Sequence, residues 1–124
     1  MKIIIAGAGR AGSLLAEMLY KDNDVLVVDL NKSVLDELSV KVDVGIRWGD
    51  AQNPSLLQEV VSLGCDLFVS VLGDDRANLI SCCCAKNFGA TKVVALVSDP
   101  VYIDNSFLYE NILGIDYFLS PDQL

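Results

Sequence analysis

Residues 2–12 read Lys2, Ile3, Ile4, Ile5, Ala6, Gly7, Ala8, Gly9, Arg10, Ala11, Gly12. A short apolar strand runs into three glycines spaced G-x-G-x-x-G, and a helical pattern follows over residues 13–20. Each glycine has a physical task in a phosphate-binding turn. Gly7 turns the chain sharply off the strand, Gly9 lets bare backbone approach a pyrophosphate, and Gly12 lets the next helix pack against the sheet. The phosphate would then sit on the N-terminus of that helix, where backbone N–H groups and the helix dipole favour an anion.

A second apolar strand over residues 24–28 ends on Asp29, about 17 residues after Gly12. An acid there, at the tip of the second strand, is placed to accept hydrogen bonds from the hydroxyls of an adenosine ribose. Taken singly, glycines after a strand only make a turn, and an aspartate ending a strand only caps a helix. In this order and register they point to nucleotide binding. The negative charge of Asp29 would repel the 2′-phosphate of NADP, so NAD(H) is the favoured cofactor. ATP, ADP and AMP share the ribose and stay open.

Strand and helix patterns alternate to the end of the chain. A helix is expected over residues 31–40 with Asn31 as its N-cap, then a strand over 42–48 stopped by Gly49, Asp50 and Ala51. Pro54 opens a helix to about residue 63, since proline costs nothing in a first helical turn. An apolar strand over 66–72 is bounded by Gly73, and Asp74 or Asp75 caps a helix to about residue 88. A fifth strand spans 92–97, one helix spans 101–113 with Gly114 ending it, and a sixth strand spans 115–119. Near-continuous apolar strands separated by helices describe an α/β fold, a parallel sheet covered on both faces. Right-handed crossovers make it doubly wound in the Rossmann manner, with six strands in order 3-2-1-4-5-6. A ligand would lie across the carboxyl ends of the strands, bordered by the glycine loop, Asp29 to Asn31, the turn at Gly49 to Ala51, and the turn at Val71 to Asp75.

Bulk properties narrow the partners. The 124 residues, 52% of them hydrophobic, suit one domain with an ample core. A net charge of −8 with no basic patch argues against nucleic acid. No apolar run approaches the ~20 residues of a membrane span, so direct membrane insertion is not expected and the location read is cytoplasmic. Cys82, Cys83 and Cys84 are consecutive and Cys65 stands apart, with no histidine in the chain. Successive helical positions fan out by about 100° and cannot converge on one metal. The cysteines read as reduced, mostly buried thiols.

The runs IIIAGAGRAGSLLAEML, DVLVVDLN, WGDAQNPSLL, DLFVSVLGDDRANLISCCCAK and GIDYFLSP together resemble the N-terminal nucleotide-binding lobe of the Trk/Ktr potassium-uptake regulators and the RCK domains of potassium channels. The resemblance spans essentially the whole chain. It implies a non-enzymatic, cytoplasmic regulatory module that binds NAD(H) or an adenine nucleotide and acts on a membrane potassium transporter or channel. A homodimer or higher homo-oligomer is expected as well, since the apolar content leaves surface for self-association and two-fold dimers are the commonest oligomers. Carried over by position, Gly7, Ala8, Gly9, Arg10, Ala11 and Gly12 would hold the diphosphate, with Arg10 near the phosphates. Asp29 would hold the ribose with Asn31 beside it, Asp50 and Ala51 would border the adenine, and Leu72, Gly73 and Asn78 would face the distal half of a dinucleotide.

Two positions depart from the family pattern. Members often carry a hydroxyl residue at the place of Leu72 and an arginine at the place of Leu96. A leucine cannot replace a charged hydrogen bond, typically worth ~1.5 to 3 kcal/mol, although core filling is the ordinary role of a leucine on a buried strand. Family proteins also continue past the sixth strand into a pairing helix and often a C-terminal lobe, so residues 1–124 are expected to be one domain truncated before both.

Two other functions compete. One is a fragment of an NAD-dependent oxidoreductase, which would need an acid/base group facing the nicotinamide. No histidine is available, and no tyrosine has a lysine four positions after it. The other is a nucleotide-free interaction module of the same fold. Asp74 and Asp75 could also suggest a divalent-metal site, against which stands the commoner role of capping a helix.

Overall fold

A computed structural model describes residues Met1–Leu124. The first strand, β1 (Lys2–Ala6), is followed by α1 (Arg10–Leu19), β2 (Asp24–Asp29), α2 (Lys32–Lys41), β3 (Gly45–Trp48), α3 (Pro54–Ser62) and β4 (Leu67–Ser70). Then come α4 (Asp75–Asn87), β5 (Lys92–Leu96), α5 (Pro100–Asp104), α6 (Ser106–Leu113), β6 (Tyr117–Leu119) and a closing 3-10 turn (Pro121–Gln123). All neighbouring strands pair in parallel, in the order β3-β2-β1-β4-β5-β6. The doubly wound sheet expected from the alternating pattern is the one observed.

Both faces of the four central strands β2, β1, β4 and β5 are buried, which is why they read as continuous apolar runs, while the edge strands β3 and β6 hold no buried residue. Along β1, Ile3 and Ile5 point to one face and pack with Ala16 of α1 and Leu35 and Leu38 of α2. Ile4 and Ala6 point to the other and pack with Leu57 and Val60 of α3 and Leu79, Cys82 and Ala85 of α4. Cys82 is fully buried and its thiol donates to the Val94 carbonyl. Burial pushes the Cys65 thiol up to about 11 and raises Cys82 further.

Strands β4 (Leu67–Ser70) and β6 (Tyr117–Leu119) are shorter than the sequence reading, and three other boundaries differ for reasons the hydrogen bonds show. Strand β3 begins at Gly45 and not at residue 42, because the Val42 N–H caps α2 at the Leu38 carbonyl and the Val44 N–H turns back to the Val42 carbonyl. Those groups cannot also join the ladder with β2. The single helix expected over 101–113 is two. The Asn105 amide donates to the Val101 carbonyl while the Asn105 carbonyl accepts from the Leu108 and Tyr109 N–H groups, so one residue ends α5 and starts α6. Helix α1 starts at Arg10, three residues earlier than the pattern indicates.

Register aligns the carboxyl ends. Ala6 pairs with Val28 and with Ser70, Asp29 with Trp48, and Leu96 with Leu119. The turns that follow these strands therefore share one rim.

Candidate functional site

The glycine loop sits at the centre of that rim, where the sheet order reverses between β1 and β4. Gly7 has φ of +113°, and a Cβ on it would lie 2.8 Å from the Val71 carbonyl oxygen. Its N–H continues the ladder to the Val28 carbonyl at 2.8 Å. Gly12 is fixed by packing alone, since its Cβ would come within 1.8 Å of the Gly7 carbonyl oxygen. Gly9 is different: its φ is −72°, and no protein atom lies within 4 Å of where its Cβ would be. Nothing inside the protein demands a glycine there, whereas a ligand approaching the backbone would.

Gly9 is also the N-cap of α1, and it offers no side chain to the first turn. Helices α2, α3, α4 and α5 are capped by the side chains of Asn31, Asn53, Asp74 and Asp99. The first N–H groups of α1 thus face the rim without a side-chain partner, in the arrangement that receives anions. Arg10 follows at once, exposed and outside all of the chain's ion pairs, which join Arg47 to Glu59 and Lys86 and Lys92 to Asp116.

Asp29 is half-buried at the tip of β2. Its Oδ2 accepts from the Ala8 N–H at 2.7 Å and its Oδ1 accepts from the Asn31 N–H at 2.8 Å. Each carboxylate oxygen keeps a lone pair for a further donor such as a ribose hydroxyl. Asn31 spends its Oδ1 on Ser33 and Val34 as the cap of α2. Beside it the Trp48 indole donates to the Leu30 carbonyl at 2.9 Å, with the Lys32 ammonium 5.8 Å from its ring centroid. Asp50 is exposed and accepts from the Gln52 N–H, while Ala51 is buried and its carbonyl accepts from Ser81.

On the other side of the loop, Asn78 is 1% exposed and makes every bond its amide can. Its Oδ1 accepts from Ser70 Oγ at 2.8 Å and from the Leu72 N–H at 2.6 Å, and its Nδ2 donates to the Leu72 and Leu96 carbonyls at 3.0 and 2.8 Å. Asn78 therefore meets the rim through the Leu72 backbone that it fixes. Asp75 does the same for the next turn, accepting from the Ser98 and Asp99 N–H groups, while Asp74 caps α4 at Ala77. These engagements account for both carboxylates without a metal ion. Asp75 and the self-bonded role of Asn78 are not evident in the sequence. No local pattern signals these bonds, which form only once α4 docks at the ends of β4 and β5.

The predicted residues thus fall into three groups. Gly7, Ala8, Gly9, Arg10, Ala11, Gly12 and Asp29 meet in one constellation, Asn31, Asp50 and Ala51 border it on the β2–β3 side, and Leu72, Gly73 and Asn78 border it on the β4 side. A cavity of about 420 Å³ opens beside Arg10, lined also by Ala11, Leu14, Leu96, Pro121 and Leu124.

The family model of the TrkA-N domain matches residues 3–121. A Trk system potassium uptake protein TrkA homolog of Archaeoglobus fulgidus is 36% identical over 121 residues, covering 98% of this chain and 28% of that protein. A homolog of the same name from Methanothermobacter thermautotrophicus is 31% identical, covering 99% of this chain and 56% of that protein. The chain thus spans between about a quarter and about a half of these relatives. Among solved structures, the NAD(P)-binding domain of an exopolyphosphatase-related protein from Archaeoglobus fulgidus superposes with a TM-score of 0.79 at 20% identity, covering 98% of this chain and 88% of that one. The GsuK channel, solved bound to ADP and bound to NAD, superposes with a TM-score of 0.76 at 18% identity, covering 96% and 95% of this chain and 31% and 21% of those. At such identities the superpositions speak for the fold.

Proposed function

This chain belongs to the TrkA-N domain family, and on that premise we propose that it is a non-catalytic regulatory module that binds an adenine nucleotide and controls a membrane potassium transporter or channel. The observation that carries this function is the 2.7 Å bond between Asp29 and the Ala8 N–H, which holds a ribose-binding carboxylate against a phosphate-binding loop. The open space over Gly9 and the uncapped first turn of α1 support it. NAD(H), ATP, ADP and AMP all carry the adenosine 5′-phosphate that these groups suit. Relatives named as Trk system potassium uptake proteins and a channel solved with ADP and with NAD support the regulatory role and the potassium-conducting partner.

In this mechanism Asp29 orients the ribose, the backbone from Gly7 to Gly12 receives the phosphates, and Arg10 adds the only side-chain cation of the loop. A ligand regulates only by binding one conformation better than another. The β4–α4 turn would pass such a change outward, because Asn78 ties Leu72 and Leu96 to α4 and so links the rim to the helices outside it. No helix of the chain is long and apolar enough to cross a membrane, which suits a module lying in the cytoplasm against its partner. Helix α6 leaves Phe107 and Ile112 79% and 68% exposed, a surface that a second copy of the chain would cover in a homo-oligomer.

Thermal unfolding against adenosine, AMP, ADP, ATP, NAD and NADH tests the nucleotide site. A ligand at about 100 times its Kd adds ~2.7 kcal/mol to stability. Stabilisation that disappears in Asp29→Ala is the expected result, and its absence with every compound would remove the proposal.

A further inference from the structure

The turn after β3 is held from behind by Ser81. This residue lies in the middle of α4, fully buried, and its Oγ donates to the Ala51 carbonyl at 2.8 Å. A serine inside a helix often returns its proton to the carbonyl one turn back, whereas Ser81 spends its single proton on another element. Alanine would suit the helix position better, so what the hydroxyl adds is the bond to Ala51. No other group of the chain donates to that carbonyl.

The Ala51 carbonyl and the Gln52 N–H are the two ends of one planar peptide group. Ser81 holds the carbonyl end, and the Gln52 N–H donates to Asp50 Oδ1 at 2.8 Å. A hydroxyl inside α4 is thereby linked, through one rigid plane, to a carboxylate on the exposed rim. Hydrogen bonds in such a chain polarise and reinforce one another. Asp50 Oδ2 and the Ala51 N–H bond nothing within the chain. Ala51 is only 3% exposed, and buried N–H groups are rarely left unpaired. An acceptor and a donor on successive residues match the edge of adenine, whose exocyclic amino group donates beside an accepting ring nitrogen. Hypoxanthine presents the reverse, a carbonyl that would meet the carboxylate and an N–H that would meet an N–H.

Resting on the nucleotide site proposed above, we infer that Ser81 is a positioning residue for base recognition: through the Ala51–Gln52 peptide it aims the Asp50 carboxylate, and so makes the site select adenine over hypoxanthine nucleotides. Ser81 itself does not touch the ligand. Without its hydroxyl the peptide is held at one end only, Asp50 loses its fixed direction, and the amino group of the base loses its acceptor. The ribose and phosphate contacts of Asp29 and the glycine loop are untouched by that loss.

Calorimetric titration of AMP and of IMP, its hypoxanthine counterpart, into the parent chain, Ser81→Ala, Asp50→Ala, the double variant and Asp29→Ala tests this role. The parent should bind AMP about tenfold or more tightly than IMP, the scale of one hydrogen bond to a charged group. Ser81→Ala should bring the two within about threefold of each other by weakening AMP alone; a merely structural residue would weaken both alike and keep the ratio. Asp50→Ala should lose the preference too, and adding Ser81→Ala to it should change the ratio no further, because the two residues act along one path. Ser81→Cys keeps the size of the side chain with a weaker donor, so its ratio should fall between parent and Ser81→Ala, and it decides the matter if the alanine variant does not fold. Equal binding of AMP and IMP by the parent, or the full preference in either Ser81 variant, overturns the inference and leaves nucleotide binding standing. Failure of both nucleotides to bind, or binding indifferent to Asp29→Ala, overturns the nucleotide site as well.

Discussion

The carboxylate of Asp29 holds the backbone N–H of Ala8 at 2.7 Å, joining the tip of β2 to the middle of the glycine loop. The loop's anchoring to β2 and the proposed ribose contact therefore depend on one side chain. Asp29→Ala removes two bonds to backbone N–H groups at a half-buried position, and should cost about 1–2 kcal/mol of stability. Its larger effect should be on ligand affinity, a fall of roughly 10- to 100-fold for AMP or ADP. Trp48 provides the readout, being the one tryptophan of the chain and the register partner of Asp29. Nucleotide should change its emission in a saturable way in the parent and not at the same concentrations in Asp29→Ala; equal responses would refute the role of Asp29.

The glycines of the loop are not equivalent, and alanine substitution should separate them. Gly12→Ala would drive a methyl to within 1.8 Å of the Gly7 carbonyl oxygen, a backbone clash that only movement of α1 off the sheet relieves. That variant should be severely destabilised, by about 3 kcal/mol or more, as overpacked sites are. At Gly9 the added methyl meets open space, and an N-cap exchange of glycine for alanine costs at most about 1 kcal/mol. Gly9→Ala should melt within a few degrees of the parent and still lose nucleotide affinity at least tenfold, a magnitude set by excluding one backbone contact with phosphate. Full affinity in a folded Gly9→Ala would mean that no ligand approaches that backbone.

Asn78 should be the costliest single polar residue to remove. Its amide serves the Ser70 hydroxyl in a buried bond and the Leu72 N–H and two carbonyls in part-buried ones, from a side chain that is itself 1% exposed. Asn78→Ala leaves several of these unpaired, at about 1–3 kcal/mol each, and opens a small cavity besides. A loss of about 3–5 kcal/mol is expected, or roughly 10–20 °C in Tm for a chain of this size. Thermal melts of Asn78→Ala and Asn78→Asp decide it. A variant melting within a few degrees of the parent would show that water replaces the amide.

Much of this architecture is legible in the residues alone, because the glycine loop, the Asp29 strand end and the apolar strand runs each answer to one local requirement. The β3 start and the α5–α6 break escape a periodicity reading for a common reason. Val42 to Val44 look like strand but are consumed in capping α2, and Asn105 interrupts a helix whose apolar residues keep their spacing on both sides. The sequence Asp104, Asn105, Ser106 carries the turn chemistry that marks such a break. The family resemblance places Asn78 toward the ligand's distal half by position only. Its bonds to Leu72 and Leu96 depend on α4 docking against β5, a tertiary fact that no local pattern encodes.

Asp116 gives the acid limb of stability a named contributor. It is 19% exposed at its side chain and accepts from Lys86 Nζ at 2.9 Å and from the Val93 N–H at 2.8 Å, with Lys92 at 3.9 Å. Burial, the largest single influence, pushes its pKa up. The Lys86 and Val93 hydrogen bonds and the charges of both lysines together outweigh it and hold the carboxyl below its ordinary 3.8. A group depressed in the folded state contributes stability above its unfolded pKa and loses it as pH falls through the folded value. The stabilisation from Asp116 should therefore be complete at neutral pH and fade between about pH 5 and pH 2. Asp116→Asn should lower Tm at pH 7 and flatten its decline over that acid range, so that the curves of parent and variant converge. Parallel curves across the range would mean that Lys86 and Lys92 do not stabilise the charged carboxylate in the folded chain.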